Sequence, residues 1–110
     1  MLLNQPLDIL EFKFFVFYIF SIYIMNSYLC EFLGTLFFVY VTLASGSPLA
    51  IGAAFVLTLL IIGPISGGHI NPAVTITMVQ AGKLPQSEML PYIASQIAGA
   101  LAALQINQRM

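Results

Sequence analysis

The chain has 110 residues, of which 60% are hydrophobic and only 6% charged, and its net charge is −1. Soluble domains carry about 25% charged residues, so the composition excludes an ordinary water-facing globule and makes lipid the medium around most of the chain. The charge balance supplies no basic patch and argues against nucleic acid as a partner; the single cysteine, Cys30, excludes an intrachain disulfide and a multi-cysteine metal site.

Four apolar segments follow in chain order. Residues 12–25 (FKFFVFYIFSIYIM) form the first. Its uninterrupted part is about 12 residues, too short to cross ~30 Å of hydrocarbon as a helix. It reads as an apolar leader covering residues 1–24, with Met25 as the expected working start of the fold; a signal-like segment is the other reading. The second segment, residues 28–44 (YLCEFLGTLFFVYVTLA), has the 17 residues that a span requires. Cys30 sits within it as a small buried hydrophobe. Ser45-Gly46-Ser47-Pro48 is a turn with Pro placed to open a helix. The third segment is expected over residues 49–65. The fourth, 89–104 (MLPYIASQIAGALAAL), is expected to end where Gln105-Ile106-Asn107-Gln108-Arg109 turns polar. Small residues four apart, such as Ser95/Gly99 and Ala94/Ala98/Ala102, mark helix-packing faces.

Between the third and fourth segments lies SGGHINPAVTITMVQ, residues 66–80. Gly67-Gly68 permits a backbone that no helix adopts. Asn71-Pro72 reads as a helix start, with Asn as cap and Pro in the first turn. Five extended residues, 66–70, cover ~17 Å, and ten helical residues, 72–81, return ~15 Å, which is half the hydrocarbon thickness. The chain is therefore expected to dive to the membrane centre as extended backbone and come back as a half-helix, leaving Lys83 at the surface. Irregular backbone at that depth must be buried in protein or line a wet cavity. The half-helix start carries roughly half a positive charge, which opposes cations without hindering neutral molecules.

Ser66-Gly67-Gly68-His69-Ile70-Asn71-Pro72-Ala73-Val74 resembles the first Asn-Pro-Ala signature of the aquaporin and glycerol-facilitator (major intrinsic protein) family. Glu31-Phe32-Leu33-Gly34-Thr35-Leu36-Phe37-Phe38 is similar to that family's first helix, and Tyr92-Ile93-Ala94-Ser95-Gln96-Ile97-Ala98-Gly99-Ala100 to its third. The family fold is two inverted repeats, and residues 25–110 resemble the first repeat only; these 110 residues hold no second Asn-Pro-Ala box. The implied fold is all-α and membrane-embedded: half of an aquaporin-like fold, with three transmembrane helices and one re-entrant half-helix.

The resemblance also implies roles. Asn71, Pro72 and Ala73 belong to the pore, with the Asn71 amide donating to a permeant oxygen. Gly67, Gly68, His69 and Ile70 supply a ladder of carbonyls to the solute. Glu31 clamps the descending loop, supported by Thr35 and Gln96; snorkelling of Glu31 to the surface is the other reading. Ile51 falls where the family pore is narrowest, although a lipid-facing isoleucine fits the pattern equally. The function so implied is passive permeation of water or a small neutral solute, in the bilayer and without a cofactor. The second half would come from a complementary chain or a homo-oligomer. The alternatives are a truncated, non-conducting membrane fragment and an interaction partner of a full-length channel. An intramembrane enzyme lacks any nucleophile–base or metal set, since His69 is the sole histidine.

Overall fold

The computed structural model describes residues 8–110, apart from the side chains of residues 23–25; residues 1–7 of the expected leader lie outside it. Helix α1 runs over Ile9–Ser45. Asp8 caps it, its Oδ1 accepting from the Glu11 amide at 2.7 Å, and Gly46 ends it in the left-handed conformation at φ 59°. Residues 9–24 of the expected leader continue into the first span as one 37-residue helix. Asn26 and Ser27 are weak helix formers but not breakers. In an apolar medium, carrying the helix through them keeps every backbone group satisfied.

Helix α2, Pro48–Ser66, opens as its turn predicts, with the Ser47 hydroxyl accepting from the Ala50 amide at 3.4 Å and Pro48 in the first turn. It tolerates Pro64 inside and stops at Gly67, φ 91°. Helix α3, Pro72–Gln80, is the half-helix, one residue shorter than expected. A single 3-10 turn, Gln86–Glu88, leads into α4, Met89–Arg109. Helix α4 runs five residues past the expected end at residue 104. Gln and Arg are good helix formers, so the polar tail stays helical even though its character changes.

Helix α1 packs against both α2 and α4, and α3 rests on α4. The faces that meet are small and polar. Ala54, Thr58, Ile62 and Ser66 form the buried stripe of α2 at four-residue spacing, and Tyr92, Gln96, Gly99 and Ala103 that of α4. Gly99 allows the closest approach: a Cβ there would lie 2.3 Å from the Phe32 carbonyl oxygen of α1. The large apolar side chains point outward instead, among them Leu33, Phe37, Leu60 and Leu101. This inversion suits a chain whose solvent is hydrocarbon, where helices associate through small residues and polar contacts. Three helices, over Ile9–Ser45, Pro48–Ser66 and Gln86–Arg109, are long and apolar enough to cross a membrane. The protein is an all-α membrane half-fold of three spans and one re-entrant half-helix.

Candidate functional site

The site is built around Glu31, which is fully buried at 0% exposure. Four donors converge on its carboxylate. Oε2 accepts from the Ser66 hydroxyl at 2.7 Å and the His69 amide at 3.1 Å. Oε1 accepts from the Ile70 amide at 2.8 Å and the Gln96 side-chain amide at 2.8 Å. One side chain of α1 thus ties together the end of α2, the descending loop and the middle of α4. This geometry rules out snorkelling, the other reading of Glu31.

A second layer backs the first. Gln96 Nε2 also donates to the Thr75 hydroxyl at 2.8 Å, and that hydroxyl lies 2.9 Å from His69 Nδ1. With one lone pair of Thr75 Oγ1 taken by Gln96, the hydroxyl either donates to His69 Nδ1 or accepts from it, according to the His69 tautomer. The Tyr92 hydroxyl donates to the Ser66 carbonyl at 2.7 Å, and its ring lies against His69 with centroids 5.0 Å apart. At the membrane edge of the same cluster, the Tyr28 hydroxyl donates to Glu88 Oε2 at 2.5 Å, and the Ser27 hydroxyl to the Ile65 carbonyl at 3.3 Å. Thr35 is buried one turn beyond Glu31; its hydroxyl oxygen and Gln96 Oε1 are buried with no hydrogen-bond partner among the described residues.

These contacts shape the loop. Every amide from Gly67 to Ile70 is engaged inward: Gly67 on the Gly63 carbonyl, Gly68 on the Ser66 hydroxyl, His69 and Ile70 on Glu31. No described residue donates to the carbonyls of Gly67, Gly68, His69 or Ile70. Three of the four have positive φ: 91° at Gly67, 64° at Gly68 and 43° at Ile70. Glycine takes that conformation freely. For a β-branched residue it is an outlier, at a cost of order 1–3 kcal/mol. The bond from the Ile70 amide to Glu31 and the burial of the Ile70 side chain hold it there.

Asn71 follows on an exposed face. Its Oδ1 accepts from the Ala73 amide at 2.8 Å, capping α3. That leaves the side-chain NH2 group on the open side, beside Pro72 and the exposed Ala73. Ile51 is not part of this assembly. It sits half-buried in the first turn of α2, and the fifteen residues to Ser66 place it ~22 Å along the helix from the start of the loop. The structure therefore brings Glu31, Gln96, His69, Ile70 and Asn71 into one unit, with Thr35 on its edge. Ser66 opens the expected loop but carries no assigned role in the sequence, and Thr75 and Tyr92 are not among the expected site residues. Thr75 had a usable signal, a hydroxyl on the inward face of an apolar half-helix, whereas Tyr92 looks like any aromatic in a span.

Spans around a re-entrant half-helix define a class, that of multi-pass membrane proteins with an aquaporin-like half-fold. The family model described as Major intrinsic protein matches residues 19–109, and the chain belongs to that family. A glycerol uptake facilitator protein-like 6 from Lactiplantibacillus plantarum is 43% identical over 88 residues, covering 72% of this chain and 41% of the relative. An aquaporin Z from Brucella melitensis is 38% identical over 97 residues, covering 74% and 42%. A second aquaporin Z, from Rhodopseudomonas palustris, is 37% identical over 93 residues, covering 71% and 39%. The chain spans about two fifths of the length of these curated relatives. No solved structure matches it.

Proposed function

We propose that this chain forms one half of a passive channel for water or small neutral solutes, and conducts when an opposing half completes the pathway. The observation that carries the reading is the polarity of the loop. Its amides are turned inward onto Glu31 and its neighbours, which leaves a run of carbonyls from Gly67 to Ile70 leading to the Asn71 amide. Acceptors followed by a donor match what a water or hydroxyl needs when it gives up its hydration. The start of α3 adds its partial positive charge, which disfavours cations at the same point. The likeness to an aquaporin Z and to a glycerol uptake facilitator protein-like 6 supports water or a small neutral molecule as the solute. Ile51, an aliphatic residue far from the loop, contributes width on the other side of Asn71. No catalytic step is assigned to any of these residues.

The half-helix of nine residues returns only ~14 Å, so the far half of the path comes from another element carrying a second Asn-Pro-Ala box. A non-conducting membrane protein is the second reading, because α3 by itself reaches only about half of the hydrocarbon depth. Osmotic shrinkage of proteoliposomes separates the two. The proposal expects basal water flux with this chain alone and raised flux when a second half is co-reconstituted. Flux that stays basal with a folded, co-purifying second half supports the non-conducting reading.

A further inference from the structure

The N-terminal part of α1 packs against nothing in the bundle and yet is apolar on every side. Between Phe14 and Phe20 every residue is exposed: Phe14 by 66%, Phe15 by 56%, Val16 by 47%, Phe17 by 68%, Tyr18 by 63%, Ile19 by 49% and Phe20 by 59%. Seven consecutive positions at ~100° each pass almost twice round the helix, so no polar face exists. Its charged neighbours, Asp8, Glu11 and Lys13, all lie towards its outer end.

The bundle fixes where the membrane ends. The 19 residues of α2 measure ~28 Å, about the hydrocarbon thickness. Its inner end is tied to α1 by the bond from Ser27 to the Ile65 carbonyl. Residues 14–22 precede Ser27 by five to thirteen positions, so a straight α1 carries them ~8–20 Å beyond that edge. The headgroup zone is only ~5–7 Å deep on each side, and the straight helix therefore delivers a phenylalanine-rich cylinder into water. The described residues extend over 59 Å, against ~40–45 Å for the complete bilayer. A protein partner seated on one face leaves the opposite face wet. A helix lying in the interface needs a polar side, and this one has none. Hydrocarbon alone covers all sides at once.

We propose that residues 14–22 are a membrane arm: α1, continuous through Asn26 and Ser27, bends without losing its hydrogen-bond ladder where it leaves the bundle, so that the arm lies inside the hydrocarbon of the adjacent leaflet, surrounded by lipid. Its outer charges then reach back to the headgroups. The arm enlarges the lipid contact of the half-fold and ties its inner edge to one leaflet.

The chain contains no tryptophan, so one introduced indole reports on its site alone. Phe15→Trp and Phe17→Trp, ~200° apart round the helix, are placed singly in the full chain and reconstituted into phosphatidylcholine vesicles. Both are expected to emit in the blue, to lose most of their emission when the acyl chains are brominated, and to resist acrylamide. Quenching of either by acrylamide overturns the arm in favour of exposure to water. Bromolipid quenching at one position and not the other means a one-sided, interfacial placement. Protection from both quenchers means a protein partner or self-association. A separate Leu60→Trp chain, at an exposed position within α2, gives the reference readout for an indole on the inserted bundle.

Discussion

Replacing Glu31 tests what holds the loop at membrane depth. In Glu31→Leu the four donors lose their acceptor together, but they do not suffer equally. The Ser66 hydroxyl can turn to the Ile62 carbonyl, which already lies 3.4 Å away. Gln96 keeps its bond to Thr75. The His69 and Ile70 amides have no second partner. Two orphaned buried donors at ~1–3 kcal/mol each give a loss of ~2–6 kcal/mol. The positive φ of Ile70 also loses the bond that opposes its strain. Glu31→Gln is gentler. With its oxygen kept towards Ile70 and Gln96, its amide faces Ser66, which can accept, and His69, which cannot. One orphaned donor gives ~1–3 kcal/mol. Thermal melts of the purified proteins in one detergent should rank the native chain first, Gln second and Leu last, with the Leu variant losing protease protection around residues 66–71. A Leu variant as stable as the native chain would refute the clamp.

Three further expectations follow from particular contacts. Gly99→Ala puts a Cβ into the Phe32 carbonyl and should lower stability by ~1–3 kcal/mol in the same melts, whereas Gly52→Ala, with nothing within 4 Å, should be neutral or slightly stabilising. Tyr92→Phe removes the bond to the Ser66 carbonyl and should cost ~0.5–1.5 kcal/mol, read by urea titration in mild detergent. In an assembly that conducts, Asn71→Ala should lose ~1 kcal/mol of capping, while Asn71→Asp should admit more cation leak than Ala in a vesicle flux assay; equal leak through both would reject the electrostatic role of the half-helix start.

Much of the architecture could be read from local signals. Ser47-Pro48 and Asn71-Pro72 announced two helix starts, Gly67-Gly68 announced the break, and a lone carboxylate in an apolar span announced an interior anchor. What escaped was set by partners remote in sequence or by the medium. The continuity of α1 through Asn26 and Ser27 needs no local signal, because lipid penalises any break in the backbone ladder. The left-handed Ile70 runs against the preference of its own side chain, and it is imposed from 39 positions away by Glu31. Ser66, Thr75 and Tyr92 sit on three different helices, so only their folding together reveals one network. The polar end of α4 misled in the other direction: a change of polarity marks where a helix leaves the hydrocarbon, not where it stops.

A channel half of this kind requires the chain to re-enter the membrane and bring the start of α3 to its middle. Depth measurement tests this most directly. In a Cys30→Ser background, a nitroxide is attached at Ala73→Cys or Lys83→Cys, and its distance from the lipid phosphates is taken from phosphorus relaxation in oriented bilayers. A label at position 73 should lie about 15–20 Å from both phosphate planes, and one at position 83 close to the plane on the side where α2 ends. A label at position 73 level with the phosphates, or one at position 83 on the opposite surface, would contradict it.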